Sequence, residues 1–229
     1  MAGKRILLTA FCGTSAELLV KEAEIDEQYR VLFLPNDKVR DSELLIEALK
    51  QERFDYVISL GQRPNIKDKV HIETRACRGD LNIETDFECE KLKLVLEQAG
   101  LSAKLSDNAG TSFCNELYWN GLMYIGENKL DAKMVFIHVP FEKNIPNVKE
   151  FSRKLFGGVT LHKYERIIYW SEADQKFIVE VPELVGCMAD GLTPAEALEN
   201  VEVIISEWIE TAKELGREIP VPKGKLMFA

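Results

Sequence analysis

Four apolar runs of strand length, each joined to the next by a segment with helical spacing, limit what this chain can fold into more than any other feature. KRILLTAF from Lys4, YRVLFLP from Tyr29, FDYVISLG from Phe54 and AKMVFIHV from Ala132 are near-continuous hydrocarbon, without the polar alternation of a strand that has one wet face. TSAELLVKEA follows the first, DSELLIEALKQE from Asp41 the second, and DFECEKLKLVLEQAG from Asp86, closed by Gly100, precedes the fourth. Buried strands alternating with amphipathic helices imply an α/β fold, a mostly parallel sheet between two helical layers. Ligands in such sheets bind beyond the carboxyl ends of the strands, so the loops after Ala10, Leu60, Ala109 and His138 are expected on one rim. DKVHIETRAC from Asp68 reads as an edge or bent strand.

NVKEFSRKLFGG from Asn147 reads as a short helix stopped by two glycines, a natural seam between a domain over 1–158 and a second over 159–229. Beyond it the pattern changes. HKYERIIYWS and KFIVEVPEL alternate like half-buried strands, GCMAD supplies a third, and TPAEALENVEVIISEWIETAKELG is a long helix. Thr193 is its N-cap, Pro194 its first residue, Glu196 the capping-box partner and Gly216 its terminator. Ala197, Leu198, Val201, Ile204, Ile205, Trp208, Ile209, Ala212 and Leu215 form its apolar side. The unit is β-β-β-α, a small α+β domain.

Charge and cysteine usage narrow the function classes. The 229 residues carry a formal charge of −9, which argues against a nucleic-acid footprint, because phosphate contacts need clustered Lys and Arg. From Thr160 onward 7 Lys and Arg face 13 Asp and Glu, so the acidity is concentrated in the last third and suits a solvated face or a basic partner. No apolar run reaches the roughly 18 residues of a membrane span, and the N-terminus lacks a signal-peptide pattern. A cytoplasmic location is expected. Cys12, Cys77, Cys89, Cys114 and Cys187 are odd in number and lack C-x-x-C spacing, so they read as reduced thiols, with neither a disulfide framework nor a metal site.

The chemistry is expected in SDNAGTSFCNELYWNGLMYI, from Ser106 to Ile125, where a Gly-bearing turn delivers Cys114 into the start of an apolar helix. The unpaired N–H groups and positive dipole end of a helix N-terminus favour a thiolate, the nucleophilic form. By position alone, a cysteine among Phe113, Leu117 and Tyr118 is more often a small buried hydrophobe, and it is the histidine of a second stretch that shifts the balance. His138, near the end of MVFIHVPF, offers the base that a thiol needs, and Glu73 in VHIETRAC is a candidate to orient the imidazole. An isolated glutamate there would instead read as an exposed strand charge paired with Arg75 or Arg78. His71 and His162, in polar surroundings, read as surface residues.

AGTSFCN followed by FIHVP resembles the paired signatures of the pyroglutamyl peptidase I family, the pyrrolidone-carboxylate peptidases, with their phosphorylase/hydrolase-like three-layer fold. The resemblance implies Cys114 as nucleophile, His138 as base and Glu73 as third member, a peptide substrate ending in pyroglutamate, and no cofactor or metal. It also implies substrate-binding roles for Phe11, Gln62 and Arg78. The family opens with G-F-x-P-F-G-G, whose phenylalanines line the lactam pocket; AFCGTSAELL keeps Phe11 alone. Gln62 keeps the family's G-Q, RPNI replaces A-G-G-R, and Arg78 is the arginine available near the oxyanion.

The last third, from YWSEADQKFIVEVPEL to REIPVP, resembles the HicB-like antitoxin domain, a partial ribonuclease-H-like fold that binds a small basic RNA-cleaving toxin. The DNA-binding helix-turn-helix or ribbon-helix-helix segment usual in HicB antitoxins is not recognised in KGKLMFA, so DNA binding is not expected, and no carboxylate cluster suggests nuclease activity; Asp174, Glu180 and Asp190 are expected to face solvent. Three readings stay open: a cysteine peptidase of altered specificity, a non-catalytic interaction protein holding a small basic partner, and a chain whose last domain drives homo-oligomer assembly.

Overall fold

The computed structural model describes residues 4–23, 25, 27–67, 69–157 and 164–223. His162, the 158–159 seam and the end of the KGKLMFA tail lie outside the described residues. The chain divides into two compact units, Met1–Val159 and Thr160–Ala229.

In the first unit β1 (Ile6–Phe11), α1 (Ser15–Glu22), β2 (Tyr29–Leu34), α2 (Lys38–Gln51) and β3 (Tyr56–Gln62) follow the alternation of the sequence. Next come β4 (Val70–Glu73), β5 (Arg75–Arg78), β6 (Leu81–Glu84), α3 (Cys89–Gln98), β7 (Ala103–Ser106), α4 (Phe113–Glu127), β8 (Lys133–Val139) and α5 (Val148–Gly157). Six strands form one sheet in the order β2-β1-β3-β8-β4-β7. Every pairing is parallel except β4 on β8. The parallel α/β sheet expected from the apolar runs is present, and helices cover both of its faces. Ile6, Leu8, Ile58, Leu60, Val135 and Ile137 pack under α1, α3 and α5. Leu7, Phe11, Val57, Met134 and Phe136 alternate to the other face, under α2 and α4.

Two local expectations change and a third holds. β4 is an internal strand between β8 and β7, and the chain bends after Glu73 into a separate two-stranded ladder, β5 on β6. Helix α2 begins at Lys38 with Asp37 as N-cap, accepting from the N–H groups of Val39 and Arg40, so Asp41 falls inside the first turn and is buried. Helix α3 stops as expected: Gly100 has φ +76°, and Leu101 N–H donates to Leu96 O at 2.9 Å.

The second unit has β9 (Ile167–Ser171), β10 (Lys176–Glu180), β11 (Met188–Gly191) and α6 (Pro194–Glu214), with antiparallel strand order β11-β10-β9. Ala197, Val201, Ile205, Ile209 and Ala212 of α6 are buried with Val179 and Val181, whereas Leu215, expected on the apolar side, lies just past the helix end and is 58% exposed. Thr193 Oγ accepts from Glu196 N–H at 3.1 Å, and the Glu196 carboxylate reaches back to Leu192 N–H at 2.8 Å. Ile167 to Trp170 of β9 are all exposed, not half-buried by alternation. Among the described residues, no helix is long and apolar enough to cross a membrane, and no cluster of His, Cys, Asp or Glu could hold a metal ion.

Candidate active site

The site forms where β3, β8 and β4 lie side by side on the α4 face of the sheet. Parallel pairing puts Gly61 in register with His138, and antiparallel pairing puts His71 opposite His138 and Glu73 opposite Phe136. Side chains two apart on a strand share a face, so Phe136, His138, Glu73 and His71 all project to one side. The diagonal across β4 and β8 then brings carboxylate to imidazole: His138 Nδ1 lies 2.7 Å from Glu73 Oε1. With Glu73 ionised, Nδ1–H donates to it, which leaves Nε2 as the acceptor nitrogen. Both groups are out of water, Glu73 0% and His138 3% exposed. Glu73 is therefore no exposed strand charge. Arg75 pairs with Asp107 and Arg78 with Glu116, while Glu73 takes its second contact from Arg63, whose Nη1 donates to Oε1 at 3.3 Å.

Cys114 enters the same region from α4, on the second residue after the N-cap Ser112. Its neighbour in the sheet is Gly61. A Cβ built there would sit 2.7 Å from Cys114 Sγ and 2.8 Å from Phe136 Cζ, closer than such contacts occur. The missing side chain at Gly61 is what lets the sulfur approach the strand beside His138. Among the described residues no hydrogen bond joins Cys114 to His138; the two are neighbours through Gly61 and Phe136. The thiol is 8% exposed. Desolvation pushes it up to about 12, against the lowering effect of its own helix N–H, so burial outweighs the helix end that was expected to favour a thiolate.

The surrounding residues fix the turn before α4. Asn115 holds β5 to the helix, its amide donating to Cys77 O while its oxygen accepts from Cys77 N–H at 2.9 Å. Arg75 donates to Asp107 O at 3.0 Å and Arg63 to Asn108 O at 2.8 Å. Tyr118 OH donates to Glu73 O at 2.9 Å, fastening β4 to α4.

The other expected site residues are distributed unevenly. Phe11 is buried on the same face, its ring centroid 6.4 Å from that of Phe136. Gln62 ends β3 on the rim and accepts from Ser15 N–H at 3.2 Å. Arg78 stands apart. It bonds Glu116 and Asn120, stacks on Trp119 at 4.9 Å, and lines a groove of about 640 Å³ between α2 and α4 whose lining contains none of Cys114, His138 and Glu73. Two groups escaped the sequence reading. Arg63 is one, its only signal being its place directly after the Gly61-Gln62 strand end. His71 is the other: not a surface residue, it faces His138 with its Nδ1 buried and unpartnered among the described residues, and burial lowers its pKa.

The pattern of the family described as pyroglutamyl peptidase matches residues 84–154, the segment that carries both Cys114 and His138. The pyrrolidone-carboxylate peptidase of Staphylococcus carnosus is 30% identical over 168 residues, 60% of this chain and 78% of that protein. The chain belongs to the pyroglutamyl peptidase family. The fold agrees: the crystal structure of pyroglutamyl peptidase I from Bacillus amyloliquefaciens superposes with a TM-score of 0.58 at 20% identity, covering 67% of this chain and 93% of that one. The chain has a separate likeness to the UPF0150 protein ssl0259 of Synechocystis sp., 35% identical over 54 residues, 24% of this chain and 74% of that protein. Within the pyroglutamyl peptidase family, then, this chain joins the shared α/β unit to a further β-β-β-α unit.

Proposed function

We propose that the first unit is a cysteine peptidase that removes pyroglutamate, or a closely related residue, from the N-terminus of peptides. The observation that carries the reading is the water-free Glu73–His138 pair beside Gly61, the one position without a side chain against which Cys114 Sγ packs. His138 Nε2 takes the thiol proton as sulfur bonds to the scissile carbonyl carbon; the same proton passes to the leaving amine as the C–N bond breaks; water then hydrolyses the thioester and restores the thiol. The desolvation that raises Cys114 favours its neutral thiol, in keeping with a base-assisted attack. The N–H groups at the start of α4 are placed to receive the developing oxyanion. Phe11 and Gln62, at the carboxyl ends of β1 and β3, are the pocket residues we assign; the retention of one phenylalanine supports a specificity different from that of relatives with the full motif. Arg78, drawn to Glu116 and Asn120, is offered only as an outer contact for the substrate chain.

Release of aminomethylcoumarin from its pyroglutamyl amide tests the reading. Wild type is expected to release it and Cys114→Ser not to; equal rates from the two proteins would refute it.

For the second unit we propose a HicB-like interaction module. Its support is the β-β-β-α order and the excess of acidic residues from Thr160 onward, suited to a small basic protein. Affinity capture with the full chain should recover such a partner, and capture that returns none would favour assembly as its role.

A further inference from the structure

We infer that Arg63 is a positioning residue for this site, a guanidinium that fixes the Glu73 carboxylate and ties it to the turn that presents Cys114. The inference rests on the peptidase reading and deepens it. Glu73 is fully buried, and a carboxylate removed from water is costly unless a cation and hydrogen bonds compensate. Its Oε2 has no partner among the described residues, so the compensation falls on Oε1, shared between His138 Nδ1 at 2.7 Å and Arg63 Nη1 at 3.3 Å. The same Nη1 donates to Asn108 O at 2.8 Å, in the turn that runs into α4. The Arg63 backbone N–H donates to Val139 O at 3.0 Å, one residue past His138. Three separate segments that carry the base, the acid and the approach to the nucleophile thus converge on one residue, the first through its backbone N–H and the other two through its guanidinium. Both acceptors are met by the one Nη1, so a lysine would supply the charge but not the planar group that holds that nitrogen between them, and it is expected to replace arginine only in part.

The titratable and charged groups facing Glu73 are His138 from β8, His71 from β4 itself, Arg63 from the end of β3, and Cys114 and Tyr118 from α4. Arg63 is the permanently charged cation in direct contact. Its removal takes away a charge that opposes proton uptake by the Glu73–His138 pair, so the acidic limb of the kcat/KM profile moves to higher pH.

The test compares wild type, Arg63→Gln and Arg63→Lys on the pyroglutamyl coumarylamide, with circular dichroism to show that each is folded. Expected for Arg63→Gln are a fall in kcat of at least about tenfold, KM within about twofold and the displaced acidic limb, with partial recovery in Arg63→Lys. A KM effect with kcat unchanged would make Arg63 a substrate contact and overturn the inference, as would an unaltered pH profile. An activity-independent arm follows the low-field Nδ1–H proton of His138 by NMR, assigned with His138→Gln: it shifts in Arg63→Gln if Arg63 shares Oε1 and stays in place if it does not. Should wild type fail to cleave the substrate, the peptidase reading falls, and this resonance still decides the role of Arg63.

Discussion

Each face of the central sheet receives a cysteine from the first turn of a helix, Cys89 from α3 on one side and Cys114 from α4 on the other. Both are buried, and burial drives both thiols up, to about 11 and about 12, past the lowering effect of their own helix N–H groups. By the criteria of helix position and ionisation they are alike, so neither criterion marks a nucleophile. The strands beneath them differ. Cys89 belongs to the apolar cluster that includes Val70 and Ile72 of β4, whereas Cys114 meets Gly61 and the face that holds the Glu73–His138 pair. In the proposed reading a reactive thiol is made by its neighbours across the sheet, and the helix N-terminus serves to deliver it.

The strongest way to break this comparison is to exchange the two thiols' fates. Cys114→Ala should lower hydrolysis by about 10⁴-fold or more, while Cys89→Ala leaves it within about twofold; steady-state kinetics on one peptide substrate decides. Next in size, Glu73→Gln keeps the shape but removes the charge that orients imidazole, and kcat should drop by about 10²-fold to 10⁴-fold with KM little changed. Gly61→Ala sharpens the comparison from the sheet side. Its Cβ cannot fit beside Sγ and Phe136, so activity should fall with a loss of about 1–3 kcal/mol in denaturant-melt stability, and an unperturbed Gly61→Ala enzyme would mean the sulfur is elsewhere. Iodoacetamide at neutral pH should modify the half-buried Cys12 and Cys77 before Cys114, with Cys114 labelling accelerating steeply with pH, read by peptide mass mapping. The smallest effect belongs to Asp41. Burial raises its carboxyl pKa above the unfolded value, so its ionised form weakens the fold above that range. Asp41→Asn should melt higher than wild type at neutral pH, and the gap should close as acid protonates Asp41 in the folded and unfolded wild type alike.

The parts of this arrangement that could be read from the chain are those with a long or repeated signal. The runs at Ile6–Phe11, Tyr56–Gln62 and Lys133–Val139 are legible as buried strands because no charged residue interrupts their interiors, and the Gly-bearing turn before Cys114 marks the start of α4. Strands β5, β6 and β7 are four residues each with mixed polarity, too short for periodicity to separate from loop. Pairing across strands is set by register, which one sequence does not display: that is why His71 looked superficial and turned out to face His138, and why Glu73 was assigned Arg75 or Arg78 as an alternative partner when Arg63 reaches it. The burial of Cys114 is one reading of its apolar neighbours in sequence, but Phe11 and Phe136, which share its cluster, arrive from two distant strands that no local pattern displays.

A pyroglutamyl chloromethyl ketone, which carries its own recognition group to a nucleophile, puts the account to its most direct test, with the modified residue located by mass spectrometry. The label is predicted on Cys114, ahead of the more accessible Cys12 and Cys77, and lost when His138 is replaced by alanine. Labelling that follows exposure instead, or that survives without the imidazole, would contradict a nucleophile made by Gly61, His138 and Glu73.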